Sequence, residues 1–227
     1  MKGLQTSNID CIAIDIDGTL TNKDRILNPN ALDTIQRLSI PVVLVSGNVA
    51  CFVSAISRLI DASEEVVAEN GGVVKLSYDG EEIILGDKNL CIKAYNHLKN
   101  FLDVKLIDMR YRLSEVTIKS GIDIKMANDI LKEFDVEIVD SGFAIHIKKR
   151  GINKMTGLSY LAGKKGWNID RMVAIGDSEN DLEMIKGVGF GIAVGNSDED
   201  LKMHADYVTK GRYGDGVVEA LTYLNLV

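Results

Sequence analysis

Ile9-Asp10-Cys11-Ile12-Ala13-Ile14 is an apolar run interrupted only by Asp10, and it ends abruptly in Asp15-Ile16-Asp17-Gly18-Thr19-Leu20. Rich in isoleucine and bounded by a turn signal, it reads as a parallel strand covered on both faces. Open parallel sheets bind ligands just beyond the carboxyl ends of their strands, and Asp15 and Asp17 stand at such an end. Alternate strand residues point the same way, so the two acids leave the sheet on one side. Two unit charges about 4 Å apart there repel by roughly 4 kcal/mol at an effective dielectric near 20. A divalent cation or a shared proton would relieve that repulsion. Taken alone, a D-x-D-G stretch is better explained as a turn that closes the strand.

The segments that follow repeat the pattern. Asn28-Pro29-Asn30 is a helix entry, with helical periodicity from Ala31 to Leu38. Val42-Val43-Leu44-Val45 is a second strand, which breaks into Ser46-Gly47-Asn48. Val49, Phe52, Val53, Ile56, Leu59 and Ile60 then share one predicted helix face. Val66-Val67-Ala68 is a third strand, ending in Glu69-Asn70-Gly71-Gly72. Strand, helix, strand, helix, strand predicts an α/β fold with a doubly wound, mostly parallel sheet.

From Val73 to Arg150 the texture changes to short apolar runs, such as Val73–Leu76 and Ile83–Leu85, beside two helical stretches. Cys91, Ala94, Tyr95, Leu98 and Leu102 mark the first helix; Met126, Ala127, Ile130, Leu131 and Phe134 mark the second. Val136–Val139 and Phe143–Ile147 are strand-like. This predicts a smaller inserted α+β domain over residues 81–151, with helices on one face of an antiparallel sheet, and a core made of 1–80 and 152–227. The α/β rhythm resumes with a helix from Asn153-Lys154 to about Lys165, closed by Gly166. A strand over Arg171–Ile175 follows and ends in Gly176-Asp177-Ser178-Glu179-Asn180-Asp181, a second acidic strand end. Further short strands are expected over Gly191–Gly195 and Tyr207–Thr209, with a closing helix over Val217–Leu224.

Bulk properties narrow the function. The net charge is −7 and the basic residues are dispersed, which lacks the electrostatic footprint of a nucleic-acid binder. No apolar run approaches a membrane span, and Met1–Asn8 has no signal-peptide core, so a cytoplasmic location is expected. The three cysteines, Cys11, Cys51 and Cys91, are odd in number and sit largely in apolar patterns, as reduced thiols do. His97, His146 and His204 show no metal spacing; His146, on an alternating strand, reads as a packed or hydrogen-bonded residue. The expected partner is a small molecule, not a nucleic acid or a membrane, with a homodimer left open.

Four polar clusters fall where an α/β sheet brings strand ends together: Asp15/Asp17, Ser46/Gly47/Asn48, Lys154 and Asp177/Asp181. Two facing acidic strand ends offer the hard oxygen ligands suited to Mg²⁺, which also takes substrate phosphate oxygens. Ser46 and Gly47, before a helix start, offer a hydroxyl and backbone N–H groups to a phosphoryl group, and Lys154 adds a point charge. Each cluster alone has a bland reading as a turn, a solvated charge or a cap. Their joint occurrence, in this order, does not.

Asp15-Ile16-Asp17-Gly18-Thr19-Leu20, Val45-Ser46-Gly47-Asn48, Lys154 and Gly176-Asp177-Ser178-Glu179-Asn180-Asp181 together resemble the four motifs of the haloacid dehalogenase superfamily of phosphatases. The long insertion after Asn70-Gly71-Gly72 resembles the type IIB cap of its Cof-like branch, and the compact chain is most similar to the archaeal phosphoglycolate phosphatases. Where the second motif usually continues Gly-Arg, this chain has Gly47-Asn48, a departure that bears on Asn48 rather than on phosphoryl binding by Ser46. The resemblance implies a Mg²⁺-dependent phosphomonoester hydrolase in which Asp15 is the nucleophile and Asp17 the general acid and base. It implies phosphoryl binding by Ser46, Gly47, Lys154 and Asn180. The implied metal ligands are Asp15, Asp17 through its backbone carbonyl, Asp177 and Asp181, the last directly or through water. The implied lead substrate is 2-phosphoglycolate, with sugar phosphates next. A phosphomutase or phosphotransferase of the same chemistry is the alternative; a receiver-like acidic module would be far shorter. For the rest of the substrate, Arg110 and Arg112 are the candidates, because an arginine fork pairs specifically with a carboxylate.

Overall fold

A computed structural model describes residues 9–107, 109–141 and 144–227. Met1–Asn8, the stretch expected to lack a signal core, lies outside the described residues, as does Phe143 of the expected strand. The large sheet is built from β1 (Cys11–Ile14), β2 (Val42–Val45), β3 (Val66–Ala68), β4 (Val73–Lys75), β5 (Ile83–Ile84), β10 (Met172–Gly176), β11 (Phe190–Ala193) and β12 (Tyr207–Val208). Its order is β12-β11-β10-β1-β2-β3-β4-β5. The six strands from β12 to β3 pair in parallel, and β4 and β5 add an antiparallel edge.

Because side chains alternate, β1 feeds two cores at once. Ile12 and Ile14 join Leu44, Val173, Ile175 and Ile192 on one face, which is covered by α1 (Pro29–Gln36), α2 (Ala50–Leu59) and α8 (Tyr213–Tyr223). Cys11 and Ala13 join Val43, Val45 and Ala174 on the other, beneath α5 (Lys154–Lys165), α6 (Leu182–Gly187) and α7 (Glu199–His204). All four residues of β1, and all of β2 and β10, are buried, which is why these strands read as continuous apolar runs.

The expected face of α2 is corrected at two positions. Phe52 and Leu59 stand outside, 44% and 76% exposed, and the buried residues are Ala50, Val53, Ser54 and Ser57. Val53 and Ile60 are buried as expected and Ile56 packs against the core, but small side chains share the buried face while Phe52 and Leu59 are turned away. Cys11 and Cys91 are fully buried, Cys51 is exposed, and all three are free thiols.

Between β5 and α5 lies a second layer. A four-stranded antiparallel sheet, ordered β6 (Leu106–Ile107), β7 (Val116–Ile118), β9 (Ile145–Lys149) and β8 (Val136–Asp140), packs against α3 (Lys88–Leu98) and α4 (Ile124–Ile130). Its core is separate: Cys91, Ala94, Leu98, Val116, Ile118, Ala127, Leu131, Ile145 and Ile147. β6 and β7 had no expectation from sequence.

Candidate active site

The acids of the first strand end are delivered as the apolar run implies. Asp15 follows β1 directly and is 4% exposed. Gly18 turns the chain with φ +88°, and a Cβ there would lie 2.2 Å from Asp177 Oδ2, so position 18 needs both the left-handed backbone and the absence of a side chain. Thr19 Oγ1 donates to Asp177 Oδ1 at 3.2 Å, tying the two acidic strand ends together.

Lys154 opens α5 behind the capping box of Asn153 and Thr156. Only 1% exposed, it must be paired. Its Nζ donates to Asp15 Oδ1 at 2.6 Å and to Asp181 Oδ1 at 2.7 Å, with Asn180 Oδ1 at 3.4 Å. Burial alone would lower the lysine's pKa; the two carboxylates outweigh it and hold the ammonium well above its ordinary value.

Asp15, Asp177 and Asp181 each present a carboxylate oxygen within 4.8 Å of the others. The second oxygen of Asp181 accepts from the backbone N–H groups of Asp177, at 3.0 Å, and Ser178, at 3.2 Å. Asp15 Oδ2, by contrast, is buried with no hydrogen-bond partner. Burial is the main force raising the Asp15 carboxyl to about 7 and the Asp177 carboxyl to about 8, with the neighbouring acids adding to it. Three converging acids, one carrying an orphaned buried oxygen, fit a divalent metal ion. The Asp17 carboxylate is turned instead toward Asn48 Nδ2, which donates to its Oδ2, and toward Arg25, 3.7 Å away.

A cavity of about 80 Å³ opens above Asp15 and Asp17, between the large sheet and the inserted domain. Ser46, Gly47, Asn48, Ser178 and Asn180 line its floor; Arg112, Ser141 and His146 line its roof. Ser46 is buried, and its Oγ accepts from the Asn48 backbone N–H at 3.1 Å. Of the two arginines expected in the inserted domain, Arg112 is buried at the cavity and Arg110 is exposed, stacked on Tyr111 at 5.3 Å outside the lining.

Sequence reasoning missed the partners of Arg112. Its Nη1 donates to Gly47 O at 2.9 Å and pairs with Glu115, a fully buried acid that also faces His146 Nδ1 at 2.6 Å and accepts from Asn70 Nδ2 at 3.2 Å. Burial pushes the Glu115 carboxyl up, yet His146 and Arg112 prevail and hold it below its ordinary value. Glu69, also fully buried, accepts from the Leu113 and Ser114 backbone N–H groups and from Ser114 Oγ, pinning the segment that carries Arg112. The available signal was a lone acid inside Leu113-Ser114-Glu115-Val116-Thr117-Ile118, a stretch otherwise suited to burial.

Comparison with known proteins agrees with this arrangement. The haloacid dehalogenase-like hydrolase family matches residues 12–121 and 116–221. A phosphoglycolate phosphatase of Archaeoglobus fulgidus is 46% identical over 216 residues, covering 95% of this chain and 97% of that protein. In fold, a crystal structure from Thermoplasma acidophilum superposes with a TM-score of 0.89 at 24% identity, covering 96% of this chain and 99% of the other. A subclass IIB sugar phosphatase superposes with a TM-score of 0.79 at 16% identity, covering 96% and 100%. With its motifs at the strand ends described above and its inserted domain roofing them, the chain belongs to the haloacid dehalogenase-like hydrolase family.

Proposed function

We propose that the protein is a Mg²⁺-dependent phosphomonoester hydrolase that acts on a small phosphorylated metabolite, foremost 2-phosphoglycolate, through a phosphorylated Asp15. The observation that carries this reading is Asp15 itself: one oxygen held by Lys154 at 2.6 Å, the other buried without a partner at the floor of the cavity. The Archaeoglobus relative, 46% identical along nearly its whole length, supports the choice of substrate.

In this mechanism the Asp15 carboxylate attacks phosphorus in line, forming an acyl–phosphate bond as the ester P–O bond breaks. Asp17 gives its proton to the departing alkoxide, then takes one from the water that attacks the phosphorylated Asp15. That second attack breaks the acyl–phosphate bond, releasing inorganic phosphate and restoring both carboxyl groups. Lys154, the Ser46 hydroxyl, Asn180 and the N–H groups around Gly47 hold the charge of the transferring group. Asp15, Asp177, the Asp17 carbonyl and, directly or through water, Asp181 would hold Mg²⁺, which when bound neutralises phosphoryl charge and fixes the line of attack. Asn48, bonded to the Asp17 carboxylate, orients it toward the leaving group.

Turnover of p-nitrophenyl phosphate tests the reading. Activity is expected with Mg²⁺, is expected to vanish with a chelator, and should fall at least about 10³-fold in Asp15→Asn, which keeps the volume but not the nucleophile. Full activity in that variant overturns the mechanism. Release of inorganic phosphate, rather than its appearance on an added acceptor, separates a hydrolase from a phosphotransferase.

A further inference from the structure

The roof of the cavity holds a second group, to which the phosphoryl-transfer mechanism gives no part. His146, on β9, is 3% exposed and lines the same cavity as Asp15 and Asp17. Its Nδ1 sits 2.6 Å from Glu115 Oε1, which fixes the ring and leaves Nε2 as the other hydrogen-bonding edge. Nε2 lies 3.2 Å from the Ser141 hydroxyl, which also lines the cavity and is itself held by Ala144, donating to its carbonyl at 3.0 Å and accepting from its N–H at 3.3 Å.

Glu115 therefore anchors two side chains, His146 and Arg112, that face the substrate space together. Arg112 Nε is buried and, among the described residues, has no hydrogen-bond partner. One carboxylate thus serves a guanidinium and an imidazole, and part of the guanidinium is left unsatisfied. Below, the charges are Asp15, Asp17, Lys154, Asp177 and Asp181 and, at the rim, Arg25 beside Asp17. These account for a phosphoryl group and a metal. The roof asks for a second anion.

We propose that His146, held by Glu115, contacts the leaving group of the substrate and, with Arg112, selects a small leaving group that carries its own carboxylate. An anion on the cavity side of the ring would set the imidazole between two carboxylates and would supply an acceptor to Arg112. The cavity lies between the acids of the floor and these two side chains, so a leaving group that spans it would present its carboxylate on the side away from phosphorus. This deepens the phosphatase reading and rests on it for the placement of the phosphoryl group.

The test measures binding apart from turnover. In Asp15→Asn protein with Mg²⁺, calorimetry compares the affinities for 2-phosphoglycolate and p-nitrophenyl phosphate before and after His146→Ala, with His146→Gln as the variant that keeps bulk and a donor. The expected result is that each change weakens phosphoglycolate binding at least about tenfold more than it weakens aryl phosphate binding. Equal losses for both ligands would assign His146 to the packing of the inserted domain, and no loss would remove it from the site; either overturns the proposal. So would failure of phosphoglycolate to bind while His146 is intact. Turnover of p-nitrophenyl phosphate by the unmodified protein is scored separately. If turnover is absent while the binding difference persists, the phosphatase mechanism fails and the anion site stands.

Discussion

Arg112 and Arg110 are separated by one residue and share a charge, yet only Arg112 lies at the cavity. The difference comes from two buried acids. Glu69 gathers the N–H groups of Leu113 and Ser114, and Glu115 takes the guanidinium itself, so the backbone and the side chain of Arg112 are both held. Among the described residues, Arg110 has the ring of Tyr111 on an exposed edge. The two arginines should therefore separate in kinetics. Arg112→Ala is expected to raise KM for phosphoglycolate roughly tenfold or more, the worth of about 1.4 kcal/mol for a charge-assisted contact, and to do so more than for an aryl phosphate. Arg110→Ala should shift that preference by less than about twofold. Steady-state kinetics on both substrates check it, and a matching preference shift from the two variants would refute the distinction.

The helix that begins at Lys154 joins the two halves of the site. A lysine in the first turn opposes the helix dipole, and a buried lysine is costly without partners; Asp15 and Asp181 offset both. The entry angle of α5 is set by the turn at Glu69–Gly71, where Gly71 has φ +90° and a Cβ would lie 1.8 Å from the Asn153 carbonyl oxygen. Gly71→Ala is expected to cost about 3 kcal/mol in stability, through backbone strain and displacement of α5. Because Lys154 moves with that helix, activity of the folded fraction should also fall. Denaturant unfolding and specific activity measured together check both effects, and a loss confined to activity would show that the turn does not support the helix.

Across the molecule, the acids of the two strand ends make stability depend on pH and on metal. Asp15 and Asp177, raised to about 7 and about 8 chiefly by burial, start from unfolded values near 4. A carboxyl raised in the folded state contributes stability that is full below its unfolded value and is lost as pH rises through its folded value. Metal-free protein should thus lose stability between about pH 5.5 and pH 8.5, by roughly 5 °C or more in Tm. A divalent ion that binds the ionised carboxylates should restore it, with a larger Tm increase at pH 8.5 than at pH 5.5. Thermal melts with Mg²⁺ and with a chelator at both values check the sign. A metal effect that is larger at the lower pH would contradict an ion held by these carboxylates.

The parallel core and its acidic strand ends are legible in the chain itself, because each is local: an isoleucine-rich run, a turn glycine, two carboxylates two residues apart. Asp15 and Asp177 are 162 residues apart, and a β-strand order that sets β1 beside β10 makes them neighbours. From the α/β rhythm alone it followed that both stand at the carboxyl ends of parallel strands; that their strands are adjacent did not. Nor did the full face of α2, since Ala50, Ser54 and Ser57 are buried beside Val53 and Ile60 while Phe52 and Leu59 face outward. Nor did the roof of the site. Glu115 and His146 look like isolated polar residues on apolar strands, and their meaning depends on Arg112, Asn70 and Ser141, brought within hydrogen-bond reach only when the antiparallel sheet packs over the core. A lone acid such as Glu115 on an apolar strand signals a buried partner without saying which residue it is, so tertiary packing decided that Arg112 and His146 share it and face the cavity.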